Sequence, residues 1–385
     1  MSSKAKAIAV FDISSSSVGG AHALLEQREG DTGVTFLVQE RRDSGFEDEL
    51  DIERFVNDTA RALEVVIDHV RTADVHHPEY IQVVLSSPWY SSYTRTISYK
   101  KDTTFSCTRR LVDSLIEKEV AFLLQQPNEN GTAFGSGFKL VEQQLSLVLL
   151  NGYETADPYG KKAQAMELTL VVTLVPEIVV ERFTSILRRS YGDRPIHVTT
   201  GAHAAFVALR DNGGIAPDSA IIDVGEEVTD VALVKNGLFV SQHSFPVGTY
   251  ELYRALKEIS GSTVEARALV EGYRLRKLSP SNMRIVEKAL HLFSTAWIKS
   301  LRHTVEGGQS GFHFPSQYYI CTDQRFEQVL STLVAEDEFL RQSTFSQELH
   351  VSVVDDNQVS AKIKTMTSEV PDTGLLTGIL FSERV

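Results

Sequence analysis

The chain has 385 residues, 42% of them hydrophobic and 23% charged, and a formal net charge of −13 at pH 7. That composition excludes wholesale disorder and collagen-like repeats, and the length suggests two or three domains. The acidic balance excludes a general nucleic-acid binder, which needs a basic face to displace counterions. Two cysteines, Cys107 and Cys321, cannot build a disulfide framework or a cysteine-rich zinc site, and they fit a reducing cytoplasm.

Ala7–Asp12 is an apolar run ending in an acid, too short for the core of a signal peptide. A serine turn, Ser14-Ser15-Ser16-Ser17, leads into a strand over Val18–Leu25. Gly30-Asp31-Thr32-Gly33 predicts a hairpin turn, and Val34–Gln39 a third strand. Beyond an acidic loop, Phe55, Leu63, Val66, Ile67 and Val70 recur at helical spacing over Ile52–Val70, and Tyr80–Leu85 predicts a buried strand. Next come a strand at Thr94–Ser98, an amphipathic helix at Arg109–Gln125, and a glycine- and serine-rich loop at Glu129–Gly137, expected to be mobile. Strands at Leu145–Leu150 and Leu168–Leu174 flank the turn-rich segment Asn151–Gly160, and a helix follows at Glu177–Arg189. Leu168–Val180 is the most apolar stretch, but Pro176 and Glu177 break it and it is too short to span a bilayer. The expected protein is therefore soluble and cytoplasmic, with any membrane contact made through a partner.

The opening order then returns. Ser219–Asp223 is again an apolar run ending in an acid, followed by a tight turn at Gly225-Glu226-Glu227. A strand over Val228–Lys235, the turn Asn236-Gly237, a strand over Leu238–Phe245 and a helix from about Tyr250 complete the repeat. Placing Asp12 on Asp223 reveals an internal duplication of about half a chain rather than a short-period solenoid. The expected fold is α/β, with two related lobes and a small α+β insertion in the first. The division is 1–90 and 177–213 for the first lobe, 91–176 for the insertion, and 214–385 for the second lobe with a helical subdomain at about 250–314.

A strand that ends in Asp and turns tightly exposes backbone N–H groups that can cradle phosphate oxygens, and the Asp can hold a hydrated divalent cation. Two such hairpins facing each other would clamp a nucleotide tail. The bland alternative for either one is a hairpin with an acidic corner.

These residues resemble the actin-like ATPase superfamily (ribonuclease H-like lobes), and within it the FtsA/PilM group. Phe11-Asp12-Ile13-Ser14-Ser15-Ser16-Ser17-Val18 is similar to that group's first phosphate motif, and Asp223-Val224-Gly225-Glu226-Glu227-Val228-Thr229-Asp230 to its second. Asn151-Gly152-Tyr153 with Asp157-Pro158-Tyr159-Gly160 resembles the inserted subdomain of FtsA, and Thr200–Ala205 falls where the family crosses between lobes. The resemblance implies nucleotide contacts at Asp12, Ser14, Ser15, Ser16, Asp223, Gly225, Glu226, Glu227, Thr229, Glu265 and Thr322. It also implies ATP with Mg²⁺ held through waters by Asp12 and Asp223, and His203 as a weak catalytic candidate, against which stands a plain histidine packed on an apolar helix.

The departures matter. Glu226 and Glu227 replace glycines, and a carboxylate about 4 Å from a phosphate costs about 4 kcal/mol at an effective dielectric near 20. The adenosine corner, Thr322-Asp323-Gln324-Arg325, lacks glycine, and Ala268 stands where the family has Lys. The expected protein is thus a nucleotide-binding or pseudo-ATPase scaffold, at most a weak ATPase. An FtsA-like role implies a cell-division adaptor that binds the tubulin-like ring protein. A PilM-like role implies an adaptor for the cytoplasmic tail of a type IV pilus or type II secretion inner-membrane protein. A small-molecule kinase of the same superfamily is the alternative of a different class, and head-to-tail filaments are a further expectation. No basic amphipathic helix follows Gly378–Val385, so direct membrane anchoring is not expected. His76-His77 beside Asp74 reads as a solvated loop before a metal site. Arg274-Leu275-Arg276-Lys277 reads as a solvated helix end. Pro88-Trp89-Tyr90 reads as a hinge with packed aromatics, or as one wall of a partner groove.

Overall fold

The computed structural model describes residues 5–28, 31–43, 52–74, 76–125, 137–307, 314–344, 348–354, 363–365 and 372–382. Most of the Glu129–Gly137 loop and the acidic loop before the first helix lie outside them. Strands β1 (Lys6–Ile13), β2 (Ser17–Arg28) and β3 (Asp31–Asp43) form an antiparallel meander. Helix α1 (Ile52–Ala73) returns the chain so that β4 (Tyr80–Leu85) lies parallel to β1. The predicted periodicity explains the packing of α1, because Phe55, Leu63, Val66, Ile67 and Val70 are its buried face. Strand β1 is central and covered on both faces, hence the unbroken buried run from Ile8 to Ile13.

The insertion leaves the first lobe after β4. It comprises β5 (Ser91–Ser106), α2 (Arg109–Gln125), β6 (Phe138–Leu150), β7 (Tyr153–Glu154) and β8 (Lys162–Pro176), in the sheet order β5-β8-β6-β7. Val112, Ile116, Val120 and Leu123 of α2 cover one face of this sheet. Helix α3 (Glu177–Tyr191) re-enters the first lobe, and β9 (Ile196–Thr200) pairs parallel to β4. Helix α4 (Gly201–Ala208) and a π-helical turn at Leu209–Gly213 then cross to the second lobe.

There the plan repeats with β10 (Ser219–Val224), β11 (Thr229–Lys235) and β12 (Leu238–Phe245) as the meander. Helices α5 (Tyr250–Ser260), α6 (Thr263–Arg274) and α7 (Pro280–Gly307) precede β13 (Gln317–Thr322), which is parallel to β10. Helices α8 (Glu327–Glu336) and α9 (Glu338–Ser343) lead to β14 (His350–Val353). The order β12-β11-β10-β13-β14 matches β3-β2-β1-β4-β9 strand for strand. Asp12 and Asp223 hold corresponding positions, and the N–H of Ser14 bonds the carbonyl of Ser17 as that of Gly225 bonds Val228.

One part departs from the expected division, in which 214–385 is all second lobe. Strand β15 (Ile363–Thr365) extends the first sheet beside β3, and helix α10 (Thr373–Ser382) packs on β1, β4 and α4. The physical reason lies in composition. Both α4 and α10 are apolar on nearly every side, so each must be buried between layers. Together they fill the space between the two sheets in one core with Val10, Ile221 and Phe239. Among the described residues, no helix is long and apolar enough to cross a membrane.

Candidate functional site

The two acid-tipped hairpins meet between the lobes. The Ser15 hydroxyl donates to Glu226 Oε2 at 2.9 Å, and the Tyr250 hydroxyl hydrogen-bonds Ser16. Ser14 closes its own turn, with its hydroxyl on the Ser17 carbonyl at 3.1 Å. The second turn is held by two N–H groups that follow it, Thr249 to the Gly225 carbonyl at 3.0 Å and Tyr250 to the Glu226 carbonyl at 2.8 Å. That clamp needs glycine at 248, where an added Cβ would fall 2.3 Å from the Glu226 carbonyl. Glu227 turns aside and takes both carboxylate oxygens to Arg254, at 2.6 and 2.8 Å.

Asp12 is buried and paired. Arg41, on β3, reaches it at 2.6 Å, donates to Asp372 at 2.5 and 2.7 Å, and bonds the Ser17 hydroxyl at 2.8 Å. Gly19 makes room, since a Cβ there would sit 2.6 Å from the Arg41 guanidinium. Asp372 also accepts the Leu375 N–H at the start of α10, so one arginine ties the first hairpin to the returning helix. Burial pushes the Asp12 carboxyl above its usual range in spite of Arg41. Asp223 is pushed much further, by burial and by the neighbouring charges of Asp230, Asp12 and Glu226.

The remaining predicted residues separate. Thr229 is fully buried, donating to the Val247 carbonyl at 2.7 Å and accepting from Trp297 at 3.0 Å, so it anchors the second-lobe core. Asp230 accepts from the Ser87, Tyr90 and Ser244 hydroxyls, at 2.7, 2.7 and 2.5 Å, and so joins the root of the insertion to the second lobe. Trp89 stacks on Phe55 at 4.5 Å with full burial, and Tyr90 is buried beside it, so these aromatics are packed in the interior rather than lining an open groove. Glu265 is exposed on the first turn of α6, and Thr322 lies at the end of β13 next to Val224. Arg325 fills the corner after β13, bonding Asp323 at 2.8 Å and Tyr253 at 3.3 Å.

His203 faces elsewhere. Its Nδ1 pairs with Glu142 at 3.1 Å, and its ring lies 5.4 Å from Phe239 and 5.3 Å from Phe381. Glu142, which the sequence reading did not single out, also accepts from the hydroxyls of Thr199 and Thr200 and from the Thr200 N–H. Despite burial, these bonds hold its carboxyl below the usual range. The pair sits at the inner end of a groove of about 530 Å³ between β6, β9 and α4, lined by Val141, Val171, Val198 and Phe381. The groove continues along α3 into a cleft of about 870 Å³ that shares Lys139, Val180 and Ile196. Strands β6 and β9 each present an outer edge here. Among the described residues, β9 ends its sheet, and β6 pairs beyond β8 only with β7 at Leu149 and Leu150.

The residues between the hairpins fit a triphosphate poorly. Asp12 already has a cation in Arg41, and Glu226 takes the Ser15 hydroxyl that a phosphate oxygen would use. Among the described residues, no cluster of three or more His, Cys, Asp or Glu is arranged to hold a metal ion.

Two sheets that share a five-strand order, joined by exchanged helices and closing on paired acid-tipped hairpins, define the actin-like ATPase fold, here with an insertion in the first lobe. Among solved structures the chain resembles one from the PilM–PilN type IV pilus biogenesis complex, with a TM-score of 0.63 at 13% identity, covering 97% of this chain and 98% of that one. It also matches the ethanolamine utilization protein EutJ from Carboxydothermus hydrogenoformans (TM-score 0.44, 11% identity, 98% and 89% covered). A third match is a Bacteroides thetaiotaomicron protein with an actin-like ATPase fold (0.42, 10%, 98% and 96%). No family model and no curated protein matches the sequence. At 13% identity the likeness to the first of these is one of fold.

Proposed function

We propose that this chain is a PilM-like adaptor: an actin-like body that receives an extended segment of a membrane-complex protein in the groove between the first lobe and the insertion. The observation that carries this reading is the pair of strand edges, β6 and β9, flanking an apolar floor. Unpaired edges supply main-chain hydrogen bonds to an added strand, and pockets for alternate side chains supply selectivity. The interlobe cleft serves as a structural closure rather than a site of turnover, because Glu226 and Arg41 occupy it. A small-molecule kinase needs a free phosphate cradle, which those side chains take up. The protein acts in the cytoplasm and reaches the membrane through its partner.

An FtsA-like division adaptor is the second reading. It is favoured by the Asp157-Pro158-Tyr159-Gly160 turn, where Arg109 lies over the half-exposed Tyr159 ring at 5.0 Å and offers a separate contact point on the insertion. Division genes beside this one would favour that reading, and pilus or secretion genes the first.

The test is selection of displayed peptides against the full chain, followed by hydrogen exchange of the complex. Selected peptides are expected to slow exchange in residues 138–146 or 196–200, and Val141→Arg with Val198→Arg to abolish their binding. Peptides that bind equally well to the double variant would overturn the groove assignment.

A further inference from the structure

On the far side of the first lobe, the ends of α1 and α3 and the loop before β4 enclose a cavity of about 460 Å³. It is lined by Arg71, Arg194, His22, His76, His77 and Ser190, together with Asp74 and Tyr191. This concentration of cationic and donor groups is unexpected on a chain of net charge −13. We propose that the cavity is a binding site for a phosphate dianion, the head of a small phosphomonoester or of a phosphorylated lipid.

Some donors around the cavity are already used and others are not. Asp74 is the one carboxylate in the lining, and both its oxygens are taken, one by His22 Nδ1 at 2.8 Å and the other by His76 Nδ1 at 2.6 Å. Those bonds place a proton on Nδ1 of each ring and spread the carboxylate's charge over two imidazoles. His22 is almost fully buried, and its Nε2 takes the Tyr191 hydroxyl at 3.0 Å, so the floor of the cavity is fixed and satisfied. The upper groups are not. Arg71 lies over the Tyr191 ring at 5.7 Å, a contact that orients a guanidinium without using its N–H donors. Among the described residues, the side chains of Arg71, Arg194, His77 and Ser190 have no hydrogen-bond or ion-pair partner, and neither has Nε2 of His76.

Helix C-termini repel anions, so the carbonyls nearby have to be accounted for. The Asp74 N–H bonds the Val70 carbonyl at 3.2 Å, and the Gly192 N–H bonds that of Arg188 at 2.8 Å, which partly satisfies both ends. Two guanidinium forks, two imidazoles and a hydroxyl match the several acceptor oxygens of a tetrahedral dianion better than the two of a carboxylate.

The experiment is titration of the full chain with inorganic phosphate at constant ionic strength, read by the imidazole NMR signals of the histidines, with chloride as the control. Saturable shifts at His76 and His77 are expected, without matching shifts at His203 beside the other groove. Arg194→Gln, a change at a side chain with no other partner, should weaken binding about tenfold, and Arg71→Gln with Arg194→Gln by a hundredfold or more. Co-sedimentation with vesicles containing phosphatidic acid, lost in the double variant and competed by phosphate, would identify the lipid source. Its absence alongside saturable phosphate binding would identify a soluble one. Absence of saturable shifts in wild type, or unchanged binding in the double variant, would overturn the proposal.

Discussion

Neutralising Glu226 should open the interlobe cleft to nucleotide. A phosphate oxygen that took over the Ser15 hydroxyl would come within about 4 Å of the carboxylate now bonded there at 2.9 Å. At an effective dielectric near 20 that repulsion costs about 4 kcal/mol, or roughly a thousandfold in affinity; relaxation and ions reduce it toward a hundredfold. Glu227 adds less, because Arg254 already neutralises it from 2.6 Å. Two variants separate charge from the mechanical tie between hairpins. Glu226→Gln removes the charge and retains an acceptor for Ser15. Glu226→Ala removes both, and so gains the same electrostatic relief while losing about 1 kcal/mol of closure. Calorimetric titration with Mg-ATP is expected to show weak or undetectable binding for wild type and a gain of about a hundredfold or more for both variants. Micromolar binding by wild type would refute the reasoning, as would two variants no better than it.

The other predictions concern the same acidic centre. Arg41→Met leaves Asp12 and Asp372 facing each other without their shared cation. Breaking such a pair costs about 3–5 kcal/mol, and the low end applies because the Arg41 side chain is 30% exposed. A fall well below 1 kcal/mol in denaturant unfolding would contradict the bridging role. Asp223→Asn should stabilise the protein at neutral pH. Its carboxyl titrates well above 3.8 in the folded state, owing to burial and to Asp230, Asp12 and Glu226, so the folded protein binds the extra proton. That contribution is present at low pH and is lost as pH rises from the ordinary carboxylate range through the raised folded value. Unfolding midpoints at pH 5 and pH 8 should therefore differ less in the variant than in wild type, and an unchanged difference would exclude Asp223 as its source.

Much of this was legible in the sequence because the duplication imposes local signals twice. Apolar runs ending at Asp12 and Asp223, each followed by a tight turn, predicted two lobes, and the insertion stands out because its helix and strands interrupt that order. What stayed hidden depends on register and distance. The third strand was predicted to end at Gln39, yet it runs to Asp43, and only that extension brings Arg41 opposite Gly19. Gly19-Gly20 within a strand was the available signal, since glycine there marks a close approach. Glu142 gave none. It is the first of three consecutive polar residues, Glu142-Gln143-Gln144, in β6, and its partners Thr199, Thr200 and His203 lie more than fifty positions away. Thr229 matched a motif by its letter, but strand alternation turns it inward to Trp297.

The returning segment also sets an order of events during synthesis. Residues 363–382 supply an edge strand and an inner helix to the lobe that residue 6 begins. Until they leave the ribosome, the apolar faces of β1 and β4 that α10 will cover have no lid. The second lobe holds its own core of Trp297, Phe293 and Tyr318, and its last elements, α8, α9 and β14, all precede residue 363. The lobe that starts first is thus closed after the other, and a chain ending at residue 362 would expose the seam between the lobes to chaperones and proteases.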